Sequence, residues 1–298
     1  MHKGKAAVGA LLAAALLSVS FESRAEAPLG AAPTFSAREL TPVPNAQALQ
    51  KRIWLPGIDE GYVPQGIIFF EGKLFVSSYR STDRKQDRGP CRLYALDANT
   101  GVRLGQLDLP ESCGHAGGLT AGQSGRLIVS DSRVIFEIQL TPQAGAQIGR
   151  VTRTIRLRGA VKGSFAATER DGFWLGQYER AEPARMFKFP WAALGKKELT
   201  EADTVATMNI PIFAQGAAFD SSGALWIMRS GSTLGELVKL DRKTGAALTR
   251  FDMPVGAEGI SFAPDGALWT LSEAGSQRWS HWKAFYPLAF RFDMNLLK

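Results

Sequence analysis

Five short segments of this chain share one plan, and a repeat of that kind leaves few folds open. They read Gln65-Gly66-Ile67-Ile68-Phe69, Gly117-Gly118-Leu119, Lys162-Gly163-Ser164-Phe165, Gln215-Gly216-Ala217-Ala218-Phe219 and Glu258-Gly259-Ile260-Ser261-Phe262. Residues 256–273 show the plan most clearly. Glu258-Gly259 opens an alternating apolar run, Pro264-Asp265-Gly266 supplies turn chemistry, and residues 267–271 return as a second strand. The aligned glycines fall at intervals of 52, 45, 53 and 43 residues, which suits four strands per unit.

Second strands are expected at 74–78, 127–130, 173–178, 225–228 and 268–271. Third strands follow at 92–96, 134–138, 185–189, 236–240 and 288–292. The turns Asp97-Ala98-Asn99-Thr100-Gly101 and Asp241-Arg242-Lys243-Thr244-Gly245 lead into fourth strands in units one and four. The fifth unit ends after its third strand, and residues 51–55, KRIWL, stand ready to complete it. Closing the ring this way removes open sheet edges that would otherwise recruit other chains. The expected fold is all-β, a five-bladed β-propeller over residues 51–298 closed by an N-terminal strand. A six-bladed ring with one degenerate blade, a sandwich and an open solenoid are the alternatives.

With 298 residues, 45% of them hydrophobic and 21% charged, the chain can bury a large single core. Residues 1–25 carry a short basic start, an apolar run and a small-x-small pattern, which is the plan of a cleaved secretory signal. Its apolar run is shorter than a bilayer span, and no other run is long enough, so no membrane span is expected. Residues 26–50, rich in Pro, read as a lead-in linker that docks loosely or not at all. Removing the signal lowers the formal charge from +7 to +5, and the Lys and Arg residues are scattered, which argues against nucleic acid. A monomer in the periplasm or outside the cell is the expectation.

Because neighbouring strands run antiparallel, strand-one starts and strand-two ends share one face. That face gathers Gln65, Gly117, Lys162, Gln215 and Glu258 from the openers, with His115 beside them. It also gathers Tyr79, Arg80, Asp131, Tyr178, Glu179, Arg229 and Glu273 from second-strand ends. Its connecting loops are uneven in length, which marks it as the functional face. Glu258, Glu273 and His115 are the candidate acid–base groups; Gln65, Tyr79, Arg80, Asp131, Lys162, Tyr178, Gln215, Arg229 and Trp279 are candidate ligand contacts. Lys162 close to Glu258 would keep that carboxylate ionised; a distant Lys162 would leave desolvation to raise its pKa. Cys91 and Cys113 lie on this face on adjacent blades, and in an exported chain they are expected to form a disulfide, unpaired thiols being the main alternative. Such a loop is worth roughly 3 kcal/mol.

The openers, with SSGALW and PDGALW, resemble the calcium-dependent gluconolactonase-type propellers and their phytase-like relatives. PQGIIFFEGKLFVSSY resembles the first blade of plant-type glutaminyl cyclases, and PQGI, SSY and CGHAGGLT resemble a group of secreted bacterial propellers without an assigned activity. The gluconolactonase resemblance implies calcium at Glu258, but the other openers supply one lysine and no second carboxylate, so no cofactor is expected. The cyclase resemblance implies an acid that protonates a departing amine, a role open to Glu258 or Glu273, although Ser77-Ser78 stands where that family has an acidic residue. Trp279, Trp282, Phe285 and Tyr286, among Arg278, His281 and Lys283, either fold back as local core or wall a ligand site. With Arg84, Lys85 and Arg88 next to them, they favour an anionic or carbohydrate-like ligand, small or polymeric, over a cation. Three function classes follow: a propeller binding a polar ligand over its channel, an enzyme of the lactonase, phytase-like or cyclase kind, and a protein-interaction scaffold.

Overall fold

The computed structural model describes residues 27–141 and 147–298; the segment read as a secretory signal lies outside them. A strand β1 (Leu49–Trp54) precedes blade one, which comprises β2 (Tyr62–Phe70), β3 (Lys73–Arg80), β4 (Cys91–Asp97) and β5 (Arg103–Asp108). Blade two follows as β6 (Gly118–Ala121), β7 (Arg126–Asp131), β8 (Val134–Leu140) and β9 (Gly149–Leu157). Blade three is β10 (Phe165–Glu169), β11 (Gly172–Gly176), β12 (Ala184–Pro190) and, beyond the short β13 (Glu198–Leu199), β14 (Ala206–Ile210). Blade four is β15 (Ala214–Phe219), β16 (Leu225–Ser230), β17 (Gly235–Leu240) and β18 (Ala247–Asp252). Blade five supplies β19 (Ala257–Phe262), β20 (Leu268–Ser272) and β21 (Leu288–Phe292). β13 adds a parallel fifth strand to the edge of blade two.

The ring is a five-bladed β-propeller. It closes as the sequence predicts: β1 pairs antiparallel with β21, from Leu49 opposite Phe292 to Trp54 opposite Leu288, and so completes the last blade from the chain's other end. Ile53 is fully buried there between blades five and one, beside Leu74, Trp269 and Leu271. Cys91 and Cys113 form a disulfide with Cα atoms 5.9 Å apart, tying blade one to the approach to blade two. Among the described residues no helix is long and apolar enough to cross a membrane.

The lead-in differs from expectation. Residues 27–48 are strapped onto the ring rather than loosely docked, because their backbone groups find partners on it. Asp59 accepts from the Thr34 and Phe35 amides at 2.8 and 2.9 Å. Arg38 donates to the carbonyls of Ser280, Trp282 and Lys283 and lies 5.1 Å over the Phe285 ring, and Thr41 pairs with Phe285 through backbone and hydroxyl.

The innermost strands meet at the axis, and glycine makes their approach possible. A Cβ on Gly216 would lie 2.5 Å from the Glu258 carbonyl oxygen, and one on Gly259 would lie 2.7 Å from the Ile67 amide nitrogen. Gly118 similarly faces the Ala166 amide at 2.6 Å. Blade three breaks the alignment. Gly163 precedes β10, and Phe165 comes to the axis instead, accommodated by Gly176, whose Cβ would fall 2.0 Å from the Phe165 ring. Backbone cannot yield as a flexible side chain can, so Gly259→Ala is expected to destabilise the protein by about 1–3 kcal/mol. Gly231→Ala, where an added Cβ meets nothing within 4 Å, should stay within about 0.5 kcal/mol. Denaturant unfolding of both variants checks this; equal stabilities would remove glycine from its role at the axis.

Candidate functional site

At the three glycine-led openers of blades one, four and five, the register slips. β2 pairs Pro64 with Ser78 and Gly66 with Ser77, leaving Gln65 unpaired. β15 skips Gln215 between Ala214 and Gly216, and β19 skips Glu258 and Gly259 between Ala257 and Ile260. These are β-bulges, which re-aim side chains out of the ordinary alternation. Here they bring Gln65, Gln215 and Glu258 together at the mouth of the channel, where Glu273, one residue past β20, joins them.

The four side chains form one buried network. Gln215 Nε2 donates to Glu258 Oε1 at 3.1 Å, Gln65 Nε2 donates to Glu273 Oε2 at 3.1 Å, and the two carboxyl groups are close enough to act on each other's charge. Glu258 is 2% exposed and Glu273 7%. Burial, then the neighbouring Glu273 charge, pushes the Glu258 pKa well above the usual carboxyl range. Burial also pushes Glu273 up, to about 7, against the lowering effect of the neighbouring Trp279, Gln65 and Glu258. The Trp279 indole N–H is buried without a partner of good hydrogen-bonding geometry, so its effect on Glu273 is one of proximity. Two buried carboxyls beside each other cannot both be charged at modest cost, so the pair holds on to protons to higher pH than solvated glutamates do.

Lys162 does not neutralise this pair. Its ammonium lies 2.5 Å from Glu179 Oε1, as an ion pair on the blade-three side of the mouth, so desolvation governs the Glu258 pKa.

Above the dyad opens a cavity of about 570 Å³, lined by Gln65, Gln215, Glu273, Lys162, Tyr178 and His115 among others. Trp279 and Trp282, their rings stacked 4.8 Å apart, line it from blade five. The blade-five loop thus divides its aromatics: Phe285 and Tyr286 are buried as core, whereas the two tryptophans face the cavity. His115 Nδ1 lies 2.6 Å from the Asp87 carbonyl oxygen, which can only accept, so Nδ1 carries the hydrogen and Nε2 is left as an acceptor. Burial lowers the His115 pKa, favouring the neutral ring. Asp131 also lines the cavity but is fully buried and committed, accepting from Arg88 at 3.1 Å and from the Gly114 and Ser132 amides.

Three expected ligand contacts stand elsewhere. Tyr79 is fully buried behind His115, whose ring stacks on it at 4.4 Å. Arg80 is exposed and donates to the Glu60 carbonyl, outside the cavity lining. Arg229 is tied to the Ile212 carbonyl and, at 2.5 Å, to Glu236, the blade's own side chains having first claim on it. Conversely Arg84, Arg133, Arg180 and Arg278 line the cavity, although none is among the expected ligand contacts. They sit in loops, where no period marks a direction; only the basic residues crowded around the blade-five aromatics hinted at Arg84 and Arg278.

Among the described residues no group of three or more His, Cys, Asp or Glu side chains gathers in a way that could hold a metal ion. The dyad's carboxyls face two amide N–H donors and each other.

No protein family and no curated protein match this chain. Solved structures do. The glutaminyl cyclase of Myxococcus xanthus superposes with a TM-score of 0.56 at 12% identity, covering 82% of this chain and 94% of that one. A gluconolactonase of Xanthomonas campestris, XC5397, superposes with a TM-score of 0.43 at 14% identity, covering 79% and 83%. The chain is therefore similar in fold to a glutaminyl cyclase propeller, and at this identity the likeness extends to the fold alone.

The dyad has a consequence for stability. Burial raises both folded pKa values above the unfolded value of about 4.3, so between about pH 4 and 7 the folded state binds more protons than the unfolded state. The contribution is fully present below about pH 4 and is lost as pH rises through the folded pKa of about 7. Relative to the double variant Glu258→Gln/Glu273→Gln, the wild type is expected to lose melting temperature steadily from pH 4 to 7. Parallel profiles for the two proteins would show that neither carboxyl holds its proton abnormally.

Proposed function

We propose that the channel mouth is an acid–base site: the protein binds a small polar molecule over the Glu258–Glu273 dyad and moves a proton to or from it. The observation that carries this reading is the pair of buried carboxyls at the channel mouth, Glu258 beside Glu273, with Glu273 lining an accessible cavity. Perturbed carboxyl pairs in clefts are how proteins run acid and base chemistry near neutral pH. Glu258, the more deeply buried member, holds the proton and serves as general acid; Glu273, titrating about 7 and lining the cavity, accepts a proton as general base. Gln65 and Gln215 orient the two carboxyls, and Trp279 with Trp282 offers a flat wall for an apolar or sugar-like face.

A reaction in which one group must gain a proton while another loses one suits this pair, as in hydrolysis, elimination or an intramolecular cyclisation that expels an amine. The glutaminyl cyclase of similar fold supports the last of these as a reaction class, by analogy of architecture only. Export supports the same picture: the signal-like residues 1–25 and the disulfide both suit an oxidising compartment.

A protonated carboxyl and a primary amide have nearly the same shape, and each both donates and accepts. Glu258→Gln is therefore expected to keep stability within about 1 kcal/mol of wild type. With a ligand found by a thermal-shift screen of sugars, lactones, phosphorylated compounds and N-terminal glutaminyl peptides, the variant should lose tenfold or more in affinity or kcat/KM, about 1.4 kcal/mol. A clear drop in melting temperature with ligand handling retained in the folded fraction would make Glu258 structural.

A further inference from the structure

Arg278 is a guanidinium in an unusual setting. It begins the aromatic stretch of the blade-five loop, is 6% exposed, and lines the cavity. Its side chain is fixed: one terminal nitrogen donates to the Tyr79 hydroxyl, the other to the Arg84 carbonyl at 3.2 Å, and its central carbon stacks 4.3 Å over the Trp279 ring. A guanidinium carries five N–H donors, and among the described residues only these two acceptors meet them. Nε is buried with no partner at all.

More telling, no carboxylate among the described residues forms an ion pair with it, whereas the buried Asp131 pairs with Arg88 and the buried Glu137 with Arg126 and Arg153. Burying a cation without a counter-ion is costly, and the burial here pulls the Arg278 pKa down to about 10. Structure does not ordinarily leave such a charge unanswered. The rest of the lining repeats the bias. Arg84, Arg133 and Arg180 stand exposed around the mouth, Arg133 donating only to the Gly159 and Val161 carbonyls. Against them, Lys162 is already matched by Glu179, and the acids of the lining are Asp87, the paired Asp131 and Glu273.

We infer that Arg278 is the anchor of an anion subsite, and that the molecule bound over the dyad carries an oxyanion, a carboxylate or a phosphate ester. This rests on the proposed ligand site at the channel mouth and adds the charge of its ligand. Tyr79 and Trp279 hold the guanidinium plane so that its unused donors meet an oxyanion with little ordering cost, the geometry in which Arg excels over Lys. The exposed arginines raise the local concentration of anions at the mouth. Tyr79, far from touching ligand itself, is a positioning residue for Arg278.

The test is a titration of tryptophan fluorescence with citrate, inorganic phosphate and, as neutral control, glucose, at constant ionic strength set by chloride. It uses wild type, Arg278→Met and Arg278→Lys, each checked for folding by circular dichroism. Saturable binding of citrate or phosphate is expected in wild type, weakened tenfold or more in Arg278→Met and at least threefold in Arg278→Lys, which keeps the charge and loses the fork. Preference for citrate assigns a carboxylate, preference for phosphate a phosphate ester. If Arg278→Met does not fold, the lysine variant alone decides. Anion binding unchanged in the variants, or glucose binding with no response to either anion, would overturn the anion subsite while leaving the ligand site standing. No saturable response to any of the three probes would overturn the anion subsite, and the acid–base reading would then stand or fall by its own screen.

Discussion

The close approach of backbone at the propeller axis is the constraint on which the rest depends. Five inner strands converge there, and side chains would hold them apart; Gly66, Gly118, Gly216 and Gly259 let main chain pack against main chain instead. Gly66, Gly216 and Gly259 also permit the bulges that precede or include them, and a bulge turns its extra residue out of the sheet's alternation. Gln65, Gln215 and Glu258 thus meet at the mouth because each stands beside a glycine that packing demands. Structural necessity at the axis and chemistry at the mouth are one feature of the sequence.

Once gathered, the side chains settle their charges by proximity. Two carboxyls withdrawn from water cannot both ionise cheaply, and with Lys162 engaged by Glu179 no cation comes to relieve them, so they hold on to protons to higher pH than solvated glutamates do. In the same lining Arg278, stacked over Trp279, has the opposite problem, a positive charge withdrawn from water with no carboxylate among the described residues to meet it. One site therefore offers a proton and an unanswered cation to the same space. The strap formed by residues 27–48 bears on both, since Arg38 grips the carbonyls of the loop that carries Trp279 and Trp282.

Much of the fold was legible in the sequence because it repeats. Openers, turns and second strands recur with the same chemistry, and the missing fourth strand of blade five matched the spare KRIWL segment, so closure by β1 followed from counting. The shared face of Gln65, Lys162, Gln215, Glu258 and Glu273 followed from strand direction. What repetition does not encode was missed. Gly163 matched the opener pattern, yet Phe165 reaches the axis, a substitution compensated by Gly176 on a different strand. Arg80 and Arg229 share the face, but local acceptors on their own blades draw them away from the cavity. The strap looked like a linker because it is held by scattered hydrogen bonds to distant loops, many through side chains, which leave no hydrophobic period. Loop residues such as Arg278 carry no register at all, so only their position in space marks them.

The retention of protons by this pair is the central claim, and direct observation of the two carboxyls tests it best. Carbon NMR of the chain labelled at glutamate side-chain carboxyls, assigned with the single Gln variants, follows each group through pH. One of the pair is predicted to remain protonated at pH 7, and the other to change with an inflection near 7. Inflections for both near about 4.3, the value of a solvated glutamate, would mean two ordinary carboxylates and no acid–base centre at the channel mouth.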